Sequence, residues 1–204
     1  LKILLVDDHA IVRAGLRRLL SAASNAEITE ATTGRDGLAA TRAEAFDLIV
    51  LDMNLPELGG LELLGRFRQQ TAAPILVLSM HAEPLYVTRA LERGAQGYVS
   101  KNVSPDELLT AVRRVAGGGR YVEGEIAQTL ATQTSSTASG LEQLSARDLE
   151  ILRLLAAGRS LAEIAAALGL GYKTIANTCS LIKAKLGVTK TADLLRLALK
   201  AGVS

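Results

Sequence analysis

The chain has 204 residues, 49% hydrophobic and 22% charged, the balance of an ordinary soluble protein long enough for one large core or, as the better fit, two smaller ones. Its single cysteine, Cys179, excludes an intrachain disulfide and fits a reducing, cytoplasmic setting. Net charge is only +2, but residues 1–118 sum to −1, residues 119–139 to −1 and residues 140–204 to +4, which suggests a polyanion-binding module joined to a near-neutral domain.

The opening stretch, LKILLVDD, has an apolar run too short for a signal sequence and no small-residue cleavage site after it. No later run reaches the eighteen or so apolar residues of a membrane span. Strands are expected at KILLV (2–6), DLIVL (47–51) and PILVL (74–78), with weaker candidates at AEITEA (26–31) and GYVS (97–100). Amphipathic stretches lie between and after them, near 10–21, 35–44, 60–70, 84–93 and 105–116. Five β-α units with nearly continuous apolar strands predict an α/β domain over residues 1–118, a five-stranded parallel sheet with helices on both faces. Residues 119–139 read as a linker, rich in Gly, Ser, Thr and Gln toward its end, with a short helix allowed at 124–132.

From 140 to 204 the pattern is purely helical. SARDLEILRLLAAG begins with Ser-x-x-Asp and stops at Gly158, and SLAEIAAALG carries a capping box, Ser160 with Glu163, and stops at Gly169. YKTIANTCSLIKAKLG runs to Gly187, and TADLLRLALKAG follows. Four short helices, the middle two joined by the tight GLG, form a helix-turn-helix signature.

In a parallel sheet all strands point one way, so residues at their carboxyl ends converge on one edge, where open α/β sheets place their sites. Asp7 and Asp8 follow the first strand, Asp52 ends the third, Ser79 follows the fourth and Lys101 the fifth. Three packed carboxylates repel unless a cation intervenes, and a hard divalent ion with oxygen ligands, best Mg²⁺, resolves the conflict. A nearby lysine and hydroxyl make this a phosphoryl site, with a carboxylate as nucleophile, cations neutralising the oxygens and Ser as donor.

The motifs LLVDDH, DLIVLDMNLPELGG, VLSMH and GYVSK, in this order along residues 1–118, resemble the receiver domain of bacterial two-component response regulators. That resemblance implies a flavodoxin-like fold in which Asp52 accepts a phosphoryl group from a sensor histidine kinase. It implies that Asp8 and Asp52 hold Mg²⁺, with Asp7 acting largely through water and the backbone carbonyl of Asn54 as a further ligand. Lys101 is implied to bind the phosphoryl group, and Ser79 with Tyr98 to form a switch pair in which the serine swings toward the phosphoryl oxygens and the tyrosine turns inward. Asn54 and His81 occupy positions that flank the attacking water in such domains, whereas His9 reads as a helix-start residue. Asn102 stands where many receivers have Pro.

The stretch from Leu144 to Val188 resembles the LuxR-type helix-turn-helix domain, so the whole chain resembles NarL/FixJ-type transcription regulators. The resemblance implies that the third helix enters the major groove of double-stranded DNA. Helical spacing turns Ile175, Thr178, Ile182 and Leu186 to the core, and the expected DNA contacts are Lys173, Thr174, Asn177, Ser180, Lys183 and Lys185. Many relatives have Lys at Ala176, His at Thr178 and Ser at Gly171; losing a cation at 176 predicts weak monomer binding and a need for dimers. The last helix, with Leu194, Leu195, Leu197 and Leu199, offers surface for a homodimer when the protein is phosphorylated or DNA-bound.

The expected function is therefore a phosphorylation-controlled DNA-binding regulator, not an enzyme beyond phosphoryl transfer to its own Asp52. An alternative is a small aspartyl-phosphate hydrolase of the haloacid-dehalogenase kind, which would need a second Asp where this chain has Asn54. A second alternative is a receiver with a protein-binding helical output.

Overall fold

A computed structural model describes residues 1–24, 26–55, 59–80, 82–133 and 141–200. Strands β1 (Lys2–Val6), β2 (Glu27–Ala31), β3 (Leu48–Asp52), β4 (Ile75–Ser79) and β5 (Gly97–Ser100) alternate with helices α1 (Ala10–Ser24), α2 (Gly34–Ala43), α3 (Gly60–Gln70), α4 (Pro84–Glu92) and α5 (Pro105–Ala116). The pairing is parallel throughout, in the order β2-β1-β3-β4-β5 with one further strand beside β5. The sheet has six strands, not the five expected. The sixth is a two-residue edge strand, β6 (Tyr121–Val122), which sits in the segment read as linker and is too short to show any alternation. The same segment supplies α6 (Gly124–Gln133), where the short helix was allowed.

Strand alternation divides the core into two layers. Ile3, Leu5, Leu48, Val50, Leu76, Leu78 and Val99 face α1 and α5, meeting Leu16, Leu20, Leu108 and Val112. Leu4, Val6, Ile49, Leu51, Ile75 and Val77 face α2, α3 and α4, meeting Leu63, Phe67 and Val87. Every residue of β3 and β4 is buried, as strands covered on both faces must be.

The C-terminal helices are α7 (Ala146–Ala156), α8 (Leu161–Ala167), α9 (Tyr172–Lys185) and α10 (Thr191–Lys200). Ser145 and Ser160 each close a reciprocal capping box, with Asp148 and Glu163. Gly158, Gly169 and Gly187, the expected stops, adopt φ of 79°, 62° and 68°, the left-handed conformation that ends a helix and that a Cβ disfavours. Leu149, Leu152, Leu155, Ile164, Ile175 and Ile182 form the core of this domain, and that core is continuous with the α2–α4 layer of the receiver half. Among the described residues no helix is long and apolar enough to cross a membrane.

Candidate functional site

The register of the sheet decides which side chains meet. Val6 is level with Ala31 and Leu51, so Asp7, Asp8 and Asp52 leave neighbouring strands at the same height. One ligand atom each from Asp7, Asp8, His9 and Asp52 lies within 4.8 Å of the others. Asp7 and Asp52 are both 1% exposed. Lys101, carried in from the end of β5, places its Nζ 2.6 Å from Asp52 Oδ2 and 2.8 Å from Asp7 Oδ2. Lys101 thus bridges the two buried carboxylates.

Burial pushes the Asp52 carboxyl above its ordinary value, against the Lys101 bond and the Asn54 N–H, which donates to Oδ1 at 2.9 Å; the nearby Asp7 charge adds to the rise. Burial opposes the charge on Lys101, but its bonds to the two carboxylates win and its ammonium is held above the ordinary range. Among the described residues one lysine faces three carboxylates, which leaves the site short of positive charge. Three carboxylates gathered beside one imidazole make an oxygen-rich donor set that fits a hard divalent ion of the Mg²⁺ kind.

His9 is the site residue that sequence reasoning missed. It starts α1 as expected, but its Nδ1 also lies 2.9 Å from Asp8 and 3.4 Å from Asp7. The signal was its place directly after Asp-Asp. His81, expected to flank the attacking water, lies outside the described residues. Asn102 uses the N–H that a proline would lack, donating it to Ser100 Oγ at 3.2 Å.

Ser79 and Tyr98 are both fully buried, and the tyrosine hydroxyl is hydrogen-bonded with the serine. The tyrosine is thus already turned inward here. Burial, more than any neighbour, raises its phenol far above the ordinary range, against the Ser79 bond, so it stays protonated. Its surroundings include charges from both halves of the chain, Glu83 before α4 and Arg153 of α7. Beside it the Tyr86 hydroxyl of α4 donates to the Glu150 carboxylate of α7, which also accepts from Arg153 at 2.9 Å. Gly59 makes room for this approach, since a Cβ there would stand 3.1 Å from Glu150 Cγ. Glu62 and Arg147 add a looser ion pair at 3.5 Å across the same junction. No motif announced this cluster, because Tyr86 and Glu150 are 64 residues apart.

On α9, Ile175, Cys179 and Ile182 are buried, so the phase of the helix is one step from that expected at Thr178, which is half-buried while Cys179 packs inward. Lys173, Thr174, Asn177 and Ser180 are exposed, and Lys183 is half-buried. Lys185 is turned back to Asp148 of α7 at 2.5 Å and braces the helical domain. The docking of α7 leaves the outward face of α9 uncovered.

Comparison with known proteins agrees with this architecture. Residues 3–113 match the response regulator receiver domain model, and residues 142–198 match that of bacterial regulatory proteins of the luxR family. Response regulator UvrY of Escherichia coli O6:H1 is 35% identical over 208 residues, covering 100% of this chain and 95% of that protein. Transcriptional activator protein ExaE of Pseudomonas putida is 38% identical over 207 residues, covering 98% and 97%. Among solved structures, RcsB from Salmonella enterica serovar Typhimurium, bound to promoter rprA in the presence of the phosphomimetic BeF3−, superposes with a TM-score of 0.69 at 25% identity over 96% of each chain. A parallel sheet that gathers carboxylates and a lysine at one edge, followed by a helix-turn-helix module, therefore places this chain in the two-component response regulators of the NarL/FixJ type, transcription regulators with a LuxR-type DNA-binding domain.

Proposed function

We propose that Asp52 is the phosphoryl acceptor for a sensor histidine kinase, and that its phosphorylation controls binding of double-stranded DNA by α9 in a homodimer. The convergence of Asp7, Asp8, Asp52 and Lys101 on one sheet edge carries this reading. An Asp52 oxygen attacks the phosphorus of a phosphohistidine; the O–P bond forms as the N–P bond breaks, and its electron pair returns to the imidazole nitrogen. Asp7, Asp8, Asp52 and the Asn54 carbonyl would hold Mg²⁺, which when bound neutralises the carboxylates and the phosphoryl oxygens. Lys101, now shared by two carboxylates, turns to the new phosphoryl oxygens, and the Ser79 hydroxyl donates to them. Asn54 puts an amide where a hydrolase of this chemistry keeps an acid/base carboxylate, which favours storing the phosphoryl group over turning substrate over.

Ser79 cannot move without releasing Tyr98, and Tyr98 lies against the Glu83, Tyr86, Glu150 and Arg153 cluster that ties α4 to α7. Phosphorylation thereby biases the docking of the helical domain, a shift between two populations. Because docking leaves α9 exposed, it acts on how two copies are oriented and not on access to the helix.

The test incubates the protein with Mg²⁺ and a small acyl-phosphate donor, alongside Asp52→Ala. The expected result is label on the wild type alone. Equal labelling of the variant, or none on the wild type, would overturn the assignment. Duplex binding of the phosphorylated protein should weaken steeply with salt, as contacts to DNA phosphates require.

A further inference from the structure

The outward face of α9 is poor in hydrogen-bond donors for a helix that reads base edges. With Ile175, Cys179 and Ile182 turned inward, a period of 3.6 residues sends Lys173, Asn177, Ser180, Leu181 and Ala184 outward, with Ala176 on the flank. All five outward residues are exposed, and Leu181 is 61% exposed. Two hydroxyls fold back on the helix: Ser180 donates to the Ala176 carbonyl at 3.1 Å and Thr178 to the Thr174 carbonyl at 2.9 Å. Lys185 is drawn off to Asp148. Beyond the first turn, the outward face presents the Asn177 amide, the back-bonded Ser180 hydroxyl and an apolar pair, Leu181 and Ala184, with Ala176 half-buried on the flank.

A lone exposed leucine needs no explanation. This one lies one turn beyond the amide on the outward side of a domain whose residues sum to +4, between Lys173 and Lys183, which suit flanking phosphates. In the major groove only thymine offers an apolar group, its C5-methyl, while adenine offers the N6–H and N7 pair that an amide matches with two bonds. Guanine calls for Arg or Lys. A G·C pair under Leu181 or Ala184 would bury polar base edges against methyl groups with no partner.

Resting on the DNA-binding reading above, we propose that α9 reads an A·T-rich half-site, in which Asn177 pairs with an adenine while Leu181 and Ala184 cover thymine methyl groups. At about 1.5 Å of helix rise per residue, Leu181 lies about 6 Å and Ala184 about 10 Å from Asn177 along the axis. Against about 3.4 Å per base pair, the set spans roughly three to four consecutive pairs.

The test selects duplexes from a random pool with the full chain carrying phosphoryl donor and Mg²⁺, then replaces individual thymines of the selected site by deoxyuracil, which removes only the methyl. The expected site has an adenine next to thymines, and each covered methyl removed should weaken binding about fourfold, the worth of one buried methylene. Leu181→Ala should abolish the uracil effect at one position and leave the others, while Leu181→Arg should move selection there toward guanine. The residue is exposed, so both variants should keep the parent melting temperature. Selection of G·C pairs at the centre, or uracil sites bound as tightly as thymine sites, would overturn this inference and leave the DNA-binding reading standing. A pool with no enriched duplex would overturn both.

Discussion

Replacing Tyr86 by Phe removes one oxygen from the junction between the receiver and α7 and nothing else. The ring of Tyr86 is 3% exposed and packs in the α4 layer, where Phe fits without a cavity. Its hydroxyl donates to Glu150, a carboxylate only 5% exposed, and burial together with the Glu150 charge raises the phenol well above its ordinary value, so it stays a donor. A hydrogen bond to a charged group contributes about 1.5–3 kcal/mol, and its loss leaves a buried carboxylate with fewer partners. The docking equilibrium should therefore shift toward separated domains by about 10- to 150-fold. Small-angle scattering, or a pair of labels on the receiver and on α10, reads the separation directly, and duplex affinity without phosphodonor should rise. Asp52 should still take label, since the hydroxyl points to α7 and away from the acidic edge, and reciprocal coupling between docking and phosphorylation should make the labelling more extensive. Unchanged separation together with unchanged basal affinity would refute the idea that this contact restrains the helical domain.

Gly60→Ala would place a Cβ 2.3 Å from the Met53 carbonyl oxygen, backbone against backbone, so the loop after Asp52 must shift. The receiver should lose about 1–3 kcal/mol, seen as a lower urea midpoint, and a wild-type midpoint would contradict the geometry. Phe67→Ala empties the space of a fully buried ring in the α2–α4 layer and should cost about 3–5 kcal/mol in the same experiment. Mg²⁺ at about ten times its dissociation constant should raise stability by about 1.4 kcal/mol, and Asp8→Ala should abolish that gain; an equal gain in the variant would place the ion elsewhere. For Asp148, burial acts upward, but bonds from Lys185 and Ser145 outweigh it and hold the carboxyl below its ordinary 3.8. A depressed folded value means stability present in full above 3.8 and lost as pH falls from there through the folded value. Melting followed from about pH 5 to about pH 3 should show that loss in the wild type and less of it in Asp148→Asn.

The acidic edge was legible in the sequence because parallel strands leave little choice. Once KILLV, DLIVL and PILVL are strands pointing one way, Asp7, Asp8 and Asp52 have to meet at their ends, and Lys101 arrives from the fifth. Capping boxes at Ser145 and Ser160 and stops at Gly158, Gly169 and Gly187 are equally local, set by groups within a few residues of each other. Edge strand β6 was not legible, because two residues carry no period and its pairing is supplied entirely by β5.

Chain-local chemistry therefore determined the two folds and the carboxylate edge, and most of the phase of α9, where Cys179 and not Thr178 packs inward. The tertiary structure alone decided the rest. It diverted Lys185, expected to contact DNA, to Asp148, and closed Tyr86, Glu150 and Arg153 over the buried Tyr98. Each of these is a meeting of side chains whose partners are fixed by packing between elements, and no spacing along the chain encodes a contact across 64 residues.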